Sequence, residues 1–317
     1  MPAAAAAVLA DNADGTVAND DEWDAADAAD ITLTGSTATS DAAGVSVSDS
    51  TVTITAAGVY RLPGSLDGRV VVDAPEDALV VLILDGASVT NGDGAAIQVV
   101  AADDVAINLA AGSTNTVTAA SSADADASAA VYADTDLTIS GTGALAVTDS
   151  GNDGLKSDQT DNATKGYVWI AGGTVDATAG ADGIDAQTDA VVGGGALTVA
   201  SDDDGIHSDT VLVIAGGDVA ISRSTEGIES TDEGVNASGN AASGGMGGGM
   251  QDTGEKLTIS GGTLLVDAQG GRSRLQRDDR DDRRGGHRVR PDRQRQRCPR
   301  LQRRHHRLGR NARRHRQ

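Results

Sequence analysis

Along residues 137–271, apolar and polar side chains alternate in short runs, and glycine interrupts each run. Alternation with a period of two is a strand signal, because successive side chains point to opposite faces. Gly-Gly pairs at Gly172-Gly173, Gly194-Gly195 and Gly216-Gly217 are 22 residues apart, and a fourth pair follows at Gly261-Gly262. A second mark keeps the same 22-residue step: Asp182-Gly183-Ile184, Asp204-Gly205-Ile206 and Glu226-Gly227-Ile228. An earlier copy, Asp153-Gly154-Leu155, precedes them by 29 residues. Aligned on these marks, the apolar residues fall into columns. One is Ile170, Val192, Ile214 and Ile259; a second is Val175, Leu197, Val219 and Leu264. A third is Ala177, Val199, Ile221 and Val266; a fourth is Ile184, Ile206 and Ile228.

A repeat this short cannot bury its apolar face alone, so neighbouring repeats must stack. The pattern predicts an all-β fold, a right-handed parallel β-helix solenoid with rungs of about 22 residues. Helical repeats are excluded, since no stretch keeps helical spacing and glycine breaks every candidate helix. Leucine-rich repeats need a Leu-x-x-Leu-x-Leu pattern with Asn, and nine-residue calcium rolls need Gly-Gly-x-Gly-x-Asp; neither is present. Residues 51–122 read as earlier, less regular rungs, which places the solenoid at 31–271. The Gly-rich stretch 239–254 is predicted to leave the solenoid as a loop and return at Lys256. Residues 1–30 form an acidic, Ala-rich leader predicted to be disordered. Its start, Met1-Pro2 followed by five Ala, reads equally as the end of a signal peptide or as a plain leader.

Composition sharpens this picture. The chain has no Phe and 41 Gly, so its core is built from Val, Ile, Leu and Ala. No apolar run is long enough to span a membrane. The net charge of −22 hides two opposite parts. Residues 272–317 carry 19 Arg and 5 Asp, a net of +14; residues 1–271 carry 6 Lys+Arg against 42 Asp+Glu, a net of −36. A body of that sign repels nucleic acid and anionic lipid, and attracts cations. The single cysteine, Cys298, lies in the basic tail, so the body holds no disulfide or thiolate metal site.

The Arg-rich tail 272–317 has the composition of a nucleic-acid arm. However, every repeat signal stops abruptly at Gly271. Back-translation from there, shifted by one base, permits Asp, Gly, Leu and Asp, and later Thr-Ile-Glu-Met-Thr-Gly-Gly. The restored Leu falls 12 positions after Gly261, just as Ile184 falls 12 after Gly172. The expectation is therefore a frameshifted, disordered tail and an exposed last edge.

The candidate chemistry follows from stacking rungs about 4.8 Å apart. The residue before each marked Gly is Asp153, Asp182, Asp204 or Glu226, and two places after the Gly come Lys156, Asp185, His207 and Glu229. Read as a column of carboxylates, this edge carries repulsion of about 3 kcal/mol per neighbouring pair at an effective dielectric of 20. A hard cation relieves it, and Ca²⁺ takes six to eight oxygens in flexible turns. The expected metal set is Asp153, Asp158, Asp182, Asp185, Asp204, Asp209, Glu226 and Glu229, with Asp202 and Asp203 nearby. The competing reading is that these Asp are turn formers that cap backbone. Tyr167 and Trp169 lie two apart and so share a strand face, the candidate platform for stacking a sugar ring; packed surface rings give the same pattern.

The ordered series Val52-Thr53-Ile54, Gly58-Val59-Tyr60-Arg61-Leu62, Leu84-Asp85-Gly86-Ala87-Ser88-Val89, Gly94-Ala95-Ala96-Ile97 and Glu226-Gly227-Ile228-Glu229-Ser230 resembles a bacterial family of carbohydrate-binding β-helix proteins. The resemblance covers about residues 31–271. It implies a fold like that of pectate lyases, bound calcium, a cell-surface or secreted location, and a polysaccharide ligand that is cellulose or an acidic, polygalacturonate-like sugar. A departure lies at Ser230-Thr231, where the family carries a further strand segment and this chain runs straight on.

Lyase chemistry is the enzymatic alternative. It needs Ca²⁺ and a Lys or Arg base, and Lys156, also a candidate ligand contact, lies in the right neighbourhood. Surrounding carboxylates raise a lysine's proton affinity and weaken it as a base. A non-catalytic binding protein is therefore the expectation, with a structural surface solenoid as a third reading. His207 has no second His or Cys partner in the body and reads as a surface residue rather than a zinc ligand.

Overall fold

The computed structural model describes residues 18–120, 127–159, 165–230 and 256–268. The leader up to residue 17, the loop 239–254 and the Arg-rich tail lie outside the described residues. The described part is all-β: 26 strands and one short 3₁₀ segment, Ala25–Asp27, in sheets of 17 and nine strands.

Almost every pairing is parallel, and each repeat supplies three strands to three ladders. The nine-stranded sheet runs from Val45–Ser48 through Thr51–Ile54, Arg69–Asp73, Ile97–Ala101, Ala129–Ala133, Asp153–Ser157, Ile184–Ala186 and Asp204–Ser208 to Glu226–Ser230. A second ladder holds Asp104–Leu109, Asp136–Gly141, Val168–Ile170, Asp189–Val192, Val211–Ile214 and Lys256–Ile259. A third holds Thr114–Ala119, Ala144–Asp149, Thr174–Ala179, Ala196–Ala200, Asp218–Arg223 and Thr263–Val266. The longer strand Leu79–Asn91 pairs with both of these ladders and joins them.

The columns read from the sequence coincide with the observed register. Ile170 pairs with Val192, Val192 with Ile214, and Ile214 with Ile259. Val175, Leu197, Val219 and Leu264 follow one another in the same way, as do Ile184, Ile206 and Ile228. All but Ile259 are buried, and they belong to one apolar core that extends from Ile31 to Leu264. Each fully buried Ile or Leu contributes about 1.5–3 kcal/mol. The 29-residue step from Asp153 to Asp182 leaves the register intact, with Leu155 opposite Ile184. The extra length lies between Ser157 and Val168. Lys256 pairs with Val211, so this ladder continues from Val211–Ile214 to Lys256–Ile259.

Glycine in the Asp-Gly-Ile mark is required by space. A Cβ on Gly154 would come within 2.6 Å of the Gly183 carbonyl, and one on Gly205 would run into the Gly227 carbonyl and the Ile221 side chain. The second glycine of each Gly-Gly pair has another reason: Gly173, Gly195, Gly217 and Gly262 hold φ between 74° and 81°, which favours glycine.

Asn115 is among the polar residues buried in the described part. Asn115 lies in register with Leu145 and is fully buried. Its Oδ1 accepts from the Gly86 and Ala87 amides, each at 2.9 Å, and its Nδ2 donates to Ser113 Oγ and the Ala144 carbonyl. A single amide therefore ties three successive repeats with every bond made.

The N-terminal end departs from parallel order. Thr32–Gly35 pairs with Ala38–Thr39, and Val45–Ser48 with Thr51–Ile54, both antiparallel. These hairpins cover the first edge of the stack, which a purely parallel array leaves open to pairing with other chains.

Candidate functional site

In the nine-stranded sheet the Asp/Glu-Gly mark opens the strands at Asp153, Asp204 and Glu226 and immediately precedes the one at Ile184, and parallel register brings the acidic residues together. Asp153 Oδ1 accepts from the Asp182 amide at 2.9 Å, and Asp182 Oδ1 accepts from the Asp204 amide at 2.7 Å. Each carboxylate thus reaches one repeat onward to cap the next backbone. Asp153 and Asp204 are buried and Asp182 is half-buried.

Three residues after each of these acids, register aligns Lys156 with Asp185, Asp185 with His207, and His207 with Glu229. This line alternates in sign. Lys156 Nζ lies 2.5 Å from Asp185 Oδ2 and 3.5 Å from Asp153 Oδ2. His207 Nδ1 lies 2.9 Å from Asp185 Oδ1, and its Nε2 lies 3.7 Å from Asp209 Oδ1. Asp185 is therefore held between two cations.

 Asp153, Asp182, Asp204 and Glu226 follow one another as an acidic column, whereas the second column, Lys156, Asp185, His207 and Glu229, is not one of carboxylates alone. Two of the four positions are basic, and stacking puts them in direct contact with the acids, so the repulsion is relieved internally. His207, expected at the surface, is half-buried for the same reason.

These contacts set the proton affinities. Burial pushes the Asp182 carboxyl up to about 8, with the charges of Asp153 and Asp185 adding to the rise. Burial and the charge of Asp185 lift Asp153 to about 6, with Lys156 pulling the other way. Burial also opposes a charged Asp185, but the hydrogen bond from His207 and the charge of Lys156 outweigh it and hold that carboxyl below its ordinary value. Burial disfavours the His207 cation, yet the bond to Asp185 and the surrounding carboxylates raise the imidazole to about 10. Lys156, despite its own burial, is raised by Asp185 and Asp153.

The remaining expected ligands are spread around this network. Asp158 and Asp209 are half-buried at its rim, and Glu229 is half-buried in register with His207. Glu226 lies in the strand opposite Asp204, and its side chain is outside the described residues. Tyr167 and Trp169 do share a strand face, but they are only 3% and 9% exposed. They pack with Val191, Val211 and Val213 in a separate apolar cluster, so their ring faces are covered.

One donor atom each from Asp182, Asp185 and His207 lie within 4.8 Å of one another, which can hold a metal ion. Two carboxylates and an imidazole suit a borderline transition metal better than calcium, which takes six to eight oxygens. Lys156 already occupies one oxygen of Asp185. These three residues do not make a calcium site by themselves.

The parallel ladders and their polar edge define an all-β protein of stacked repeats with one strongly ionic corner. Residues 48–289 match the family model of carbohydrate-binding domain-containing proteins, and the chain belongs to that family. Among solved structures it is similar to the polysaccharide lyase-like protein from C. thermocellum in a gadolinium derivative. The identity is 25% and the TM-score 0.58, over 77% of this chain and 95% of that one. No curated relative matches the chain. No helix among the described residues is long and apolar enough to cross a membrane.

Proposed function

We propose that this chain is a non-catalytic, secreted or cell-surface protein that binds plant-type polysaccharide along the outside of a right-handed parallel β-helix. The family match over residues 48–289 is the observation that carries the reading. The 22-residue register of three parallel ladders supports the coiled arrangement. The ligand is cellulose-like or polygalacturonate-like. An acidic glycan meets a body of net charge −36, so it requires a bridging cation. Calcium serves that purpose between uronate groups and rim carboxylates such as Asp158, Asp203 and Asp209.

The state of Lys156 argues against lyase chemistry. A base must give up its proton near neutral pH, whereas Asp185 and Asp153 hold the Lys156 proton more tightly than usual. Thermal unfolding of the full chain, with and without calcium and polygalacturonate, together with co-sedimentation on cellulose, tests the proposal. Saturable binding to either glycan without unsaturated product is expected. Release of unsaturated sugar, lost in Lys156→Ala, means a lyase. Binding to neither glycan leaves a structural surface solenoid.

A second reading rests on the Asp182, Asp185 and His207 cluster as a metal centre. A rise in melting temperature with Mn²⁺ or Zn²⁺ that exceeds the rise with Ca²⁺, and that disappears in His207→Gln, supports it.

A further inference from the structure

A cleft of about 550 Å³ opens near the N-terminal end of the stack, where the turns around Ser50, Gly68 and Gly92 lie side by side. That volume falls within the range of about 300–1,000 Å³ common to small-molecule sites. The turns are locked together. Gly68 N donates to the Thr90 carbonyl at 2.8 Å, and Arg69 N donates to the Ser50 carbonyl at 3.1 Å. A Cβ on Gly68 would overlap that Ser50 carbonyl, so only glycine permits the approach. Asn91 Nδ2 donates to the Asp93 and Ala95 carbonyls and fixes the third turn. Asp49 and Ser50 hold φ of 47° and 61°, the two non-glycine residues in the left-handed region among those described. Strain of this kind persists where the surroundings over-determine the backbone.

The cation lining this cleft differs from Arg61, Arg223, Lys165 and Lys156. Arg61 pairs with Asp85, Arg223 with Asp202, Lys165 with Asp103, and Lys156 with Asp153 and Asp185. Arg69 makes no ion pair among the described residues, although Asp49, Asp67 and Asp93 line the same space. Arg69, Asp49, Asp67 and Asp93 are all exposed. Ser48 Oγ donates to one oxygen of Asp49 at 3.3 Å; the cleft therefore offers the other Asp49 oxygen, the carboxylates of Asp67 and Asp93, and the donors of one guanidinium.

That combination matches a vicinal diol. A sugar hydroxyl donates to a carboxylate while accepting from a guanidinium, and neighbouring hydroxyls engage either group in a bidentate way. Three Asp against one Arg leave the lining net negative, in a body that is itself strongly acidic, so uronate and phosphate are repelled. We propose that this cleft is a subsite for a neutral, hydroxyl-rich oligosaccharide, with Asp49, Asp67 and Asp93 accepting from its hydroxyls and Arg69 donating to them. The inference rests on the carbohydrate-binding reading above, and it names the part of the surface and the chemical class of sugar.

Isothermal titration calorimetry on the full chain tests it, with cellohexaose, xylohexaose and mannohexaose as neutral probes and hexagalacturonate as the acidic one. Each titration is made in chelator and again in calcium. At least one neutral probe is expected to bind in chelator. Arg69→Ala and the double substitution Asp67→Ala, Asp93→Ala should each weaken that binding by about tenfold or more, and Arg223→Ala, at a distant exposed pair, should leave it unchanged. Circular dichroism melts verify that the variants are folded. Neutral-sugar binding that survives both cleft variants overturns the subsite and leaves the carbohydrate-binding reading standing. Binding of hexagalacturonate alone, in calcium alone, overturns the neutral class. Binding of none of the four overturns both.

Discussion

Two places along one corner of the stack carry most of the described ionic chemistry, and they use it in opposite ways. At the regular end, Lys156, Asp185 and His207 are half-buried, mutually bonded and fixed by register. Near the N-terminal end, Asp49, Asp67, Arg69 and Asp93 face an open cleft without pairing to one another. Groups that satisfy each other hold repeats together and have little left to offer a ligand. Groups left open contribute little to folding and remain available for recognition. On the reading proposed above, the regular end is braced and the N-terminal cleft is open to a sugar.

The strongest test is to remove the shared anion of the regular end. Asp185→Ala leaves Lys156 and His207 charged, half-buried and without their common partner. Breaking a buried pair in this way costs about 3–5 kcal/mol. Urea denaturation should show a loss of that order, and a double-mutant cycle with Lys156→Met should recover part of it. A loss under 1 kcal/mol would put the network in the same class as ordinary surface pairs and erase the contrast.

Asn115 provides a neutral version of the same test. Asn115→Ala strands the buried Ala87 amide and removes the partner of the Gly86 amide and the Ala144 carbonyl at the core's edge. A cost of about 2–4 kcal/mol is expected in the same assay. It indicates that pairing across repeats, rather than charge as such, holds this stack together.

The fold was legible because it depends on a period. A 22-residue step and alternating apolar residues determine which side chains meet, and the columns at Ile170, Val175 and Ile184 follow from counting. The network was legible in position but not in sign. Lys156 and His207 stood in the aligned column, and their charges become decisive only once register brings them within bonding distance of Asp185. Asn115 was hidden because its partners, Gly86 and Ala144, are almost 30 residues away on either side. The cleft was hidden because it forms between irregular turns that share no motif. Tyr167 and Trp169 were aligned correctly along the strand, but spacing does not reveal what covers a face.

Raising the pH should weaken the regular end selectively. Asp153 and Asp182 are raised from 3.8 to about 6 and about 8, so the folded state holds extra protons and stability falls as pH rises through those windows. His207 is raised from 6.5 to about 10, so its contribution is complete below 6.5 and is lost as pH rises through 10. All three act in the same direction. Asp185, which is lowered, acts only at the acid end, where its contribution is lost as pH falls below 3.8. Melting temperature in chelator should therefore decline from about pH 5 to pH 10. Asp182→Asn keeps an oxygen for the Asp204 amide but cannot ionise, and it should flatten the part of the decline below pH 8. An unchanged slope in that variant would remove Asp182 from the account.

The smallest expected effect is the most discriminating, because it concerns the other end. Asp67, Arg69 and Asp93 are exposed and make no side-chain ion pair among the described residues, so removing them should change stability by no more than about 0.5 kcal/mol. Removing Asp67 or Asp93 also lessens mutual repulsion in an acidic cleft, so a slight gain is the favoured direction. Urea melts of Arg69→Ala and of the double variant Asp67→Ala, Asp93→Ala measure this directly. A loss of 2 kcal/mol or more in either would mean that the cleft is cross-braced like the regular end, and its charges would then be structural. Stability held constant while sugar binding falls would separate the two ends by function as well as by geometry.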